Sequence, residues 1–191
     1  LLIADEIATG FGRTGRLFAT ERAGITPDIM CLSKGLTGGY MPMSITVVKE
    51  KIYDAFYADW SEGKAFMHSH TYAGNPLGCA AALAVLDILD EENVLEKAAE
   101  TALWLTARME EVFGAHRNVG EIRHIGLIHA AELVEDKREK RPFDASRRLG
   151  YAIYRAALRS GLLLRPLGDV LYFNPPLNIE KEDLDTAICR M

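Results

Sequence analysis

Apolar and polar positions change period several times along the 191 residues, and each change predicts a different element. Leu1 to Asp5 (LLIAD) and Asp28 to Ser33 (DIMCLS) are short, nearly continuous apolar runs, the pattern of strands buried on both faces. Met43 to Lys49 (MSITVVK) alternates and is rich in β-branched residues, which predicts a third strand. Lys49 to Tyr57 has helical spacing, and Gly63 to Gly74 is a polar, aromatic loop. From Pro76 to about Phe113, Ala, Leu and Glu recur at helical spacing, with a break at Glu91 to Asn93. Asn75-Pro76 supplies an N-cap with proline in the first turn, and Gly114 supplies a stop. Beyond it lie two strand patterns in 119–134 on either side of Gly126, then a helix from Ala145 to Ser160 ended by Gly161. Short strands at Leu162–Arg165 and Val170–Phe173 and a helix from Ile179 onward complete the pattern. The succession predicts an α/β part at 1–75, connecting helices at 76–113 and a small α+β part at 114–191.

Composition narrows the functional classes. With 49% apolar and 26% charged residues the chain is ordinary globular material. Its net charge of −5 and the lack of a basic stripe argue against a nucleic-acid partner. The densest basic run, Lys137 to Arg141, contains Glu139 and reads as a solvated loop. No run approaches the roughly 20 apolar residues of a membrane span. Cys31, Cys79 and Cys189 are far apart in sequence, so a reducing cytoplasm is expected. The chain opens inside a strand pattern without an initiator Met and closes inside a helical one, which reads as part of a longer polypeptide.

Two segments carry candidate chemistry. GFGRTG (residues 10–15) matches G-x-G-x-x-G, but the first strand meets Asp5 rather than Gly10, and at most about two helical turns fit before Gly24 and Pro27. A dinucleotide fold wants a long helix there, so these glycines suit an irregular loop needing positive φ. Asp5 closes a strand where α/β folds bind ligands, although a carboxylate there also serves as a cap on the next turn. Lys34 follows the second strand and precedes a glycine-rich loop, although a lone lysine is also an ordinary surface residue. Together, a buried Asp and a buried Lys on neighbouring strand ends suit pyridoxal phosphate: an amine to hold the aldehyde and a carboxylate to keep the pyridine nitrogen protonated. His68 and His70 lack a third nearby ligand, so no metal is expected.

The segments DEIATGFGRTG (5–15), PDIMCLSKGLTGGYMP (27–42) and HSHTYAGNPLGCAAA (68–82) resemble the class III, fold type I, pyridoxal-phosphate aminotransferases, over essentially the whole chain. The resemblance implies part of the large cofactor-binding domain, a mostly parallel sheet with helices, then a long helix and a small α+β C-terminal domain. It is closest to the biotin-synthesis branch, through Ala8, the LTGGY-MP loop and LRPLGDVLYFNPPL (164–177). That branch converts 8-amino-7-oxononanoate to 7,8-diaminononanoate with S-adenosylmethionine or lysine as amino donor. Carried over, the resemblance gives Asp5 the pyridine nitrogen and gives Lys34 the covalent link to pyridoxal 5′-phosphate and the proton transfer. Thr71 would donate to the cofactor phosphate, in the neighbouring subunit's site of a homodimer. Arg165 would clamp the oxo-acid carboxylate, and Tyr172 would line the pocket beside it. Competing expectations are another class III activity (ω-amino acid, diamine or ornithine), a non-catalytic aminotransferase-like subunit, or a nicotinamide-binding dehydrogenase built on GFGRTG.

Overall fold

The computed structural model describes residues 1–191, which divide into two compact units, 1–93 and 94–191. The first unit is built on three short strands: β1 (Ile3–Asp5), β2 (Ile29–Leu32) and β3 (Ile45–Val48). β1 and β2 run parallel with Asp5 opposite Cys31, joined through the short helix α1 (Ala19–Ala23). β3 returns antiparallel to β2, because only the turn Lys34–Thr37 and a loop lie between them and no crossover helix does. The sheet in this chain therefore has one parallel and one antiparallel pair. Asp28 ties all three strands: its carboxylate accepts from the Leu2 amide at 2.9 Å and pairs with Lys49 at 3.1 Å and Lys51 at 2.8 Å. The Lys51 and Leu2 contacts, then Lys49, hold this carboxyl well below the ordinary range.

Helix α2 spans only Glu50–Tyr53, shorter than the Lys49–Tyr57 pattern. Ile52 is its one half-buried residue, so no tertiary packing extends it. Helix α3 (Pro76–Glu91) starts as its sequence dictates, with the Asn75 side chain accepting from the Leu77 amide at 3.1 Å. It lays Ala82 against Phe11, Leu32 and Leu36 to make a small core.

In the second unit, helix α4 (Val94–Phe113) buries Val94, Ala98, Thr101, Ala102, Leu105 and Met109, a stripe at helical spacing. It covers an antiparallel sheet of β4 (Val119–Ile125), β5 (Ile128–Leu133) and β6 (Val170–Phe173), in that order. Helix α5 is Leu149–Arg159, and α6 (Lys181–Cys189) adds Leu184 and Ile188 to the same core. Arg108 on α4 reaches Asp185 on α6 at 2.6 Å.

Two expectations fail in this unit. The pattern 145–160 is not one helix: a 3-10 turn at Ala145–Arg147, capped by Asp144, ends at Arg148, whose left-handed backbone (φ +46°) separates it from α5. Residues 162–165 form no strand, since the sheet ends at β6 and Pro166 offers no amide to extend it. No helix is long and apolar enough to cross a membrane.

Candidate functional site

The first strand ends in two adjacent carboxylates with different surroundings. Glu6 is buried; its side chain accepts from the Thr9 hydroxyl and from the Thr20 amide at 2.7 Å. Burial pushes its pKa up, but the hydrogen bonds from Thr9, Thr20 and Ala19 outweigh it and hold the carboxyl below its ordinary value. Glu6 is thus a structural anchor that folds the 5–20 loop back on itself. The sequence signal for it, a Glu three residues before a Thr, is too common to have singled it out. Asp5 is exposed and uses one oxygen to accept from the Ile7 amide at 3.0 Å.

The glycine loop serves this arrangement. Gly12 (φ +95°) and Gly15 (φ +84°) occupy the left-handed half of backbone space, as expected. Gly10 does not; a Cβ there would lie 2.9 Å from the Glu6 carbonyl, so close approach is what requires glycine. The five-residue α1 begins only at Ala19, so GFGRTG opens no dinucleotide-binding helix. Phe11 instead packs beside Gly35, where a Cβ would meet the Phe11 Cβ at 2.8 Å. The Asp5 motif and the Lys34 motif are therefore in direct contact.

Lys34 follows β2 with its backbone at φ +38°. A non-glycine residue there carries strain of about 1–3 kcal/mol and persists only where its surroundings fix it. The fixing contacts are the Leu36 amide to the Ser33 carbonyl at 2.9 Å, the Ser33 hydroxyl to the Met43 carbonyl at 2.6 Å, and the Thr37 hydroxyl to the Met41 carbonyl at 2.6 Å. Leu36 and Thr37 are buried beneath. The side chain is exposed, and its ammonium makes no hydrogen bond or ion pair. The expectation of a buried Asp5 and a buried Lys34 is thus corrected: both are exposed, Asp5 at the end of β1 and Lys34 just after β2, outside the small core that Ala82 makes with Phe11, Leu32 and Leu36.

Thr71 is exposed in a turn at 71–74, within a stretch whose aromatic side chains also face outward: Tyr57, Trp60, Phe66 and Tyr72. Phe66 and Tyr72 make tilted ring contacts with His68 and His70, and Tyr57 stacks on Tyr53, rather than entering a core.

In the second unit Arg165 is exposed and lines an open groove of about 930 Å³ with Phe143, Arg148, Tyr151, Tyr154 and Pro166. Tyr172 is half-buried on β6 and is not among the lining residues, contrary to the sequence expectation. Strand alternation puts it on the same sheet face as Val170, which does line the groove, while Leu171 and Phe173 face the core. Arg148 is a groove residue that sequence reasoning missed, since nothing in RRLG distinguishes it from a surface arginine. The other residue of note is His129, fully buried on β5. The Thr106 hydroxyl donates to the Ala102 carbonyl at 2.8 Å, so His129 Nε2 donates to Thr106 at 2.9 Å and Nδ1 is left without a partner. Burial, with a smaller contribution from the stacked His124, lowers its pKa to about 4.

The model of the family "Aminotransferase class-III" matches residues 1–191. The chain is 47% identical over 188 residues to the adenosylmethionine-8-amino-7-oxononanoate aminotransferase of Geobacter sulfurreducens, covering 98% of this chain and 41% of that protein. The crystal structure of the enzyme of that name from Methanocaldococcus jannaschii superposes with a TM-score of 0.92 at 38% identity, covering 98% of this chain and 44% of that one. A thermostable (S)-enantioselective omega-transaminase from Thermomicrobium roseum gives 0.91 at 37% identity, covering 100% and 42%. The chain spans about two fifths of the length of the curated relatives it matches. With the strained lysine after one strand, the carboxylate ending its parallel neighbour, and a match along the whole length, this chain belongs to the class III aminotransferases.

Proposed function

We propose that the protein transfers an amino group to 8-amino-7-oxononanoate, giving 7,8-diaminononanoate, with pyridoxal 5′-phosphate as cofactor and S-adenosylmethionine or lysine as donor. One observation carries this reading: an unpaired lysine amine and a half-free carboxylate stand at the C-terminal ends of adjacent parallel strands, their two loops locked by the Phe11–Gly35 contact. Those donors fit the cofactor, which needs one primary amine and one carboxylate beside its ring. When bound, the cofactor supplies an electron sink for the charge that develops at the substrate Cα.

The rest is the work of this chain. Lys34 holds the cofactor through Nζ, and the same nitrogen carries the proton removed from the donor Cα. Its fixed, strained backbone limits where that nitrogen can travel. Asp5 would hold the protonated ring nitrogen, and its bond from the Ile7 amide orients the carboxylate. Thr71 donates its hydroxyl to the cofactor phosphate in the partner subunit's site of a homodimer, a reading supported by the outward aromatic surface around it. Arg165 takes the acceptor's carboxylate with the two-point geometry of a guanidinium.

The test is the visible absorption of the purified protein with added cofactor. S-adenosylmethionine, lysine and ornithine are supplied separately, followed by 8-amino-7-oxononanoate. The band of the bound cofactor should be lost with one donor and restored by this oxo-acid. Restoration only by another carbonyl acceptor would move the protein to the second reading, an ω-amino-acid or amine transaminase, which the likeness to the T. roseum enzyme favours. Absence of any band would remove the catalytic roles of Asp5 and Lys34.

A further inference from the structure

We propose that Arg148 is a second carboxylate contact and a specificity-determining residue in the groove that Arg165 lines, selecting an anionic ligand with an aliphatic stem. The inference rests on the oxo-acid reading above and adds a residue to it.

The groove walls are apolar, built by Phe143, Tyr151, Tyr154, Leu163, Pro166 and Val170. Four charged side chains line it as well, and the two acids are already engaged. Glu132 pairs with Arg123 at 2.5 Å, and Asp169 accepts from the Gly150 amide at the start of α5, at 3.3 Å. The two arginines, Arg148 and Arg165, have no acidic partner. The neighbouring Arg147 behaves differently: it approaches Glu135 at 4.0 Å and lies over the Phe143 ring.

Arg148 is also held in place. Its backbone is left-handed, and its guanidinium lies 4.6 Å from the centre of the Tyr151 ring, which orients the planar group without neutralising it. The start of α5 is clamped to the turn after Arg165: a Cβ on Gly150 would sit 2.0 Å from the Gly168 carbonyl. The segments bearing the two arginines are thus fixed relative to each other. The Arg148 guanidinium held over Tyr151, with the unneutralised Arg165 on a segment clamped beside it, complements a carboxylate whose hydrocarbon stem lies along the aromatic wall.

The probes are nonanoate, nonylamine and acetate, titrated into the purified, cofactor-loaded protein by calorimetry. Nonanoate should bind, with nonylamine and acetate at least about tenfold weaker. Arg148→Gln should weaken nonanoate about tenfold or more, and Arg148→Lys, which keeps the charge but not the two-point geometry, should lie between. Arg148→Gly suits φ +46° and removes the guanidinium without straining the backbone, so it should reproduce the Gln variant while melting no lower than the parent. In turnover, KM for the oxo-acid should rise by the same factor while kcat changes less than about twofold. Equal nonanoate affinity in the parent and both charge-removing variants would overturn the inference, as would tight binding of nonylamine. Arg148-dependent nonanoate binding without turnover of the oxo-acid would sink the functional reading and leave this one standing.

Discussion

The two units of the chain solve the burial problem differently. In the second, β5 alternates half-buried and buried positions, and helices α4 and α6 close over the buried face to make a core of twelve residues. In the first, all four residues of β3 are exposed, Ile3 is exposed on β1, and the buried apolar core is Phe11, Leu32, Leu36 and Ala82. Yet the first unit carries the lysine and carboxylate assigned to the chemistry. Its order comes from polar ties, such as Asp28 across three strands, Glu6 within the loop, and Ser33 and Thr37 around Lys34, more than from hydrophobic burial. Ligand-binding loops are drawn from the less stable end of a fold.

That contrast sets what substitutions should do. The largest effect should come from Lys34→Ala, which should cost about 10³-fold or more in turnover while leaving thermal stability unchanged or slightly raised. A fall in melting temperature that matched the loss of activity would mean that the first unit is held together by this residue after all. Next is Leu105→Ala, at a fully buried position of the second core. It should destabilise that unit by about 2–5 kcal/mol, read as loss of amide-exchange protection in 94–191 but not in 1–93.

Acidification should also single out the second unit. His129 is held neutral with its pKa near 4, while the unfolded chain's histidine titrates near its ordinary value of 6.5. The unfolded state therefore binds more protons between these values. Stability is intact above about pH 6.5 and falls by up to about 3 kcal/mol as pH drops toward 4. His129→Gln should flatten the melting temperature over that window, and an unchanged slope would assign it to other groups.

In the first unit Glu6→Gln should cost about 1–3 kcal/mol, since it removes the buried charge and replaces the oxygen that accepts from the Thr9 hydroxyl with an NH2 donor. Because that carboxyl is held below its ordinary value of 4.5, its contribution is present above that pH and lost as pH falls below it, on the acid side of the His129 window. The smallest effect belongs to Val47→Thr on the exposed β3, within about 0.5 kcal/mol either way. A large loss there would show that the β3 face is covered in the working protein.

Much of this was readable in the residues. The break between α3 and α4, the Asn75-Pro76 start, the β4–β5 hairpin about Gly126 and the three strands of the first unit follow from period and punctuation, which act over a few residues. So did the pairing of Asp5 with Lys34, because two strand ends with complementary chemistry can be read from order alone. The exposure of both could not be read, since a continuous apolar run says that a strand can be buried, not what covers it. Nor could the split of 145–160 at Arg148 or the loss of strand at 162–165: both depend on the clamp of Gly150 against Gly168 and on where the sheet ends. The sequence by itself determined most of the elements, the family and the candidate pair Asp5 and Lys34, because each is a property of residue type at short spacing. Only the tertiary structure decided which carboxylate anchors and which faces outward, where strain is stored at Lys34, and which arginines are left unneutralised in one groove. Those outcomes depend on contacts between residues far apart in the chain, whose meeting no local pattern encodes.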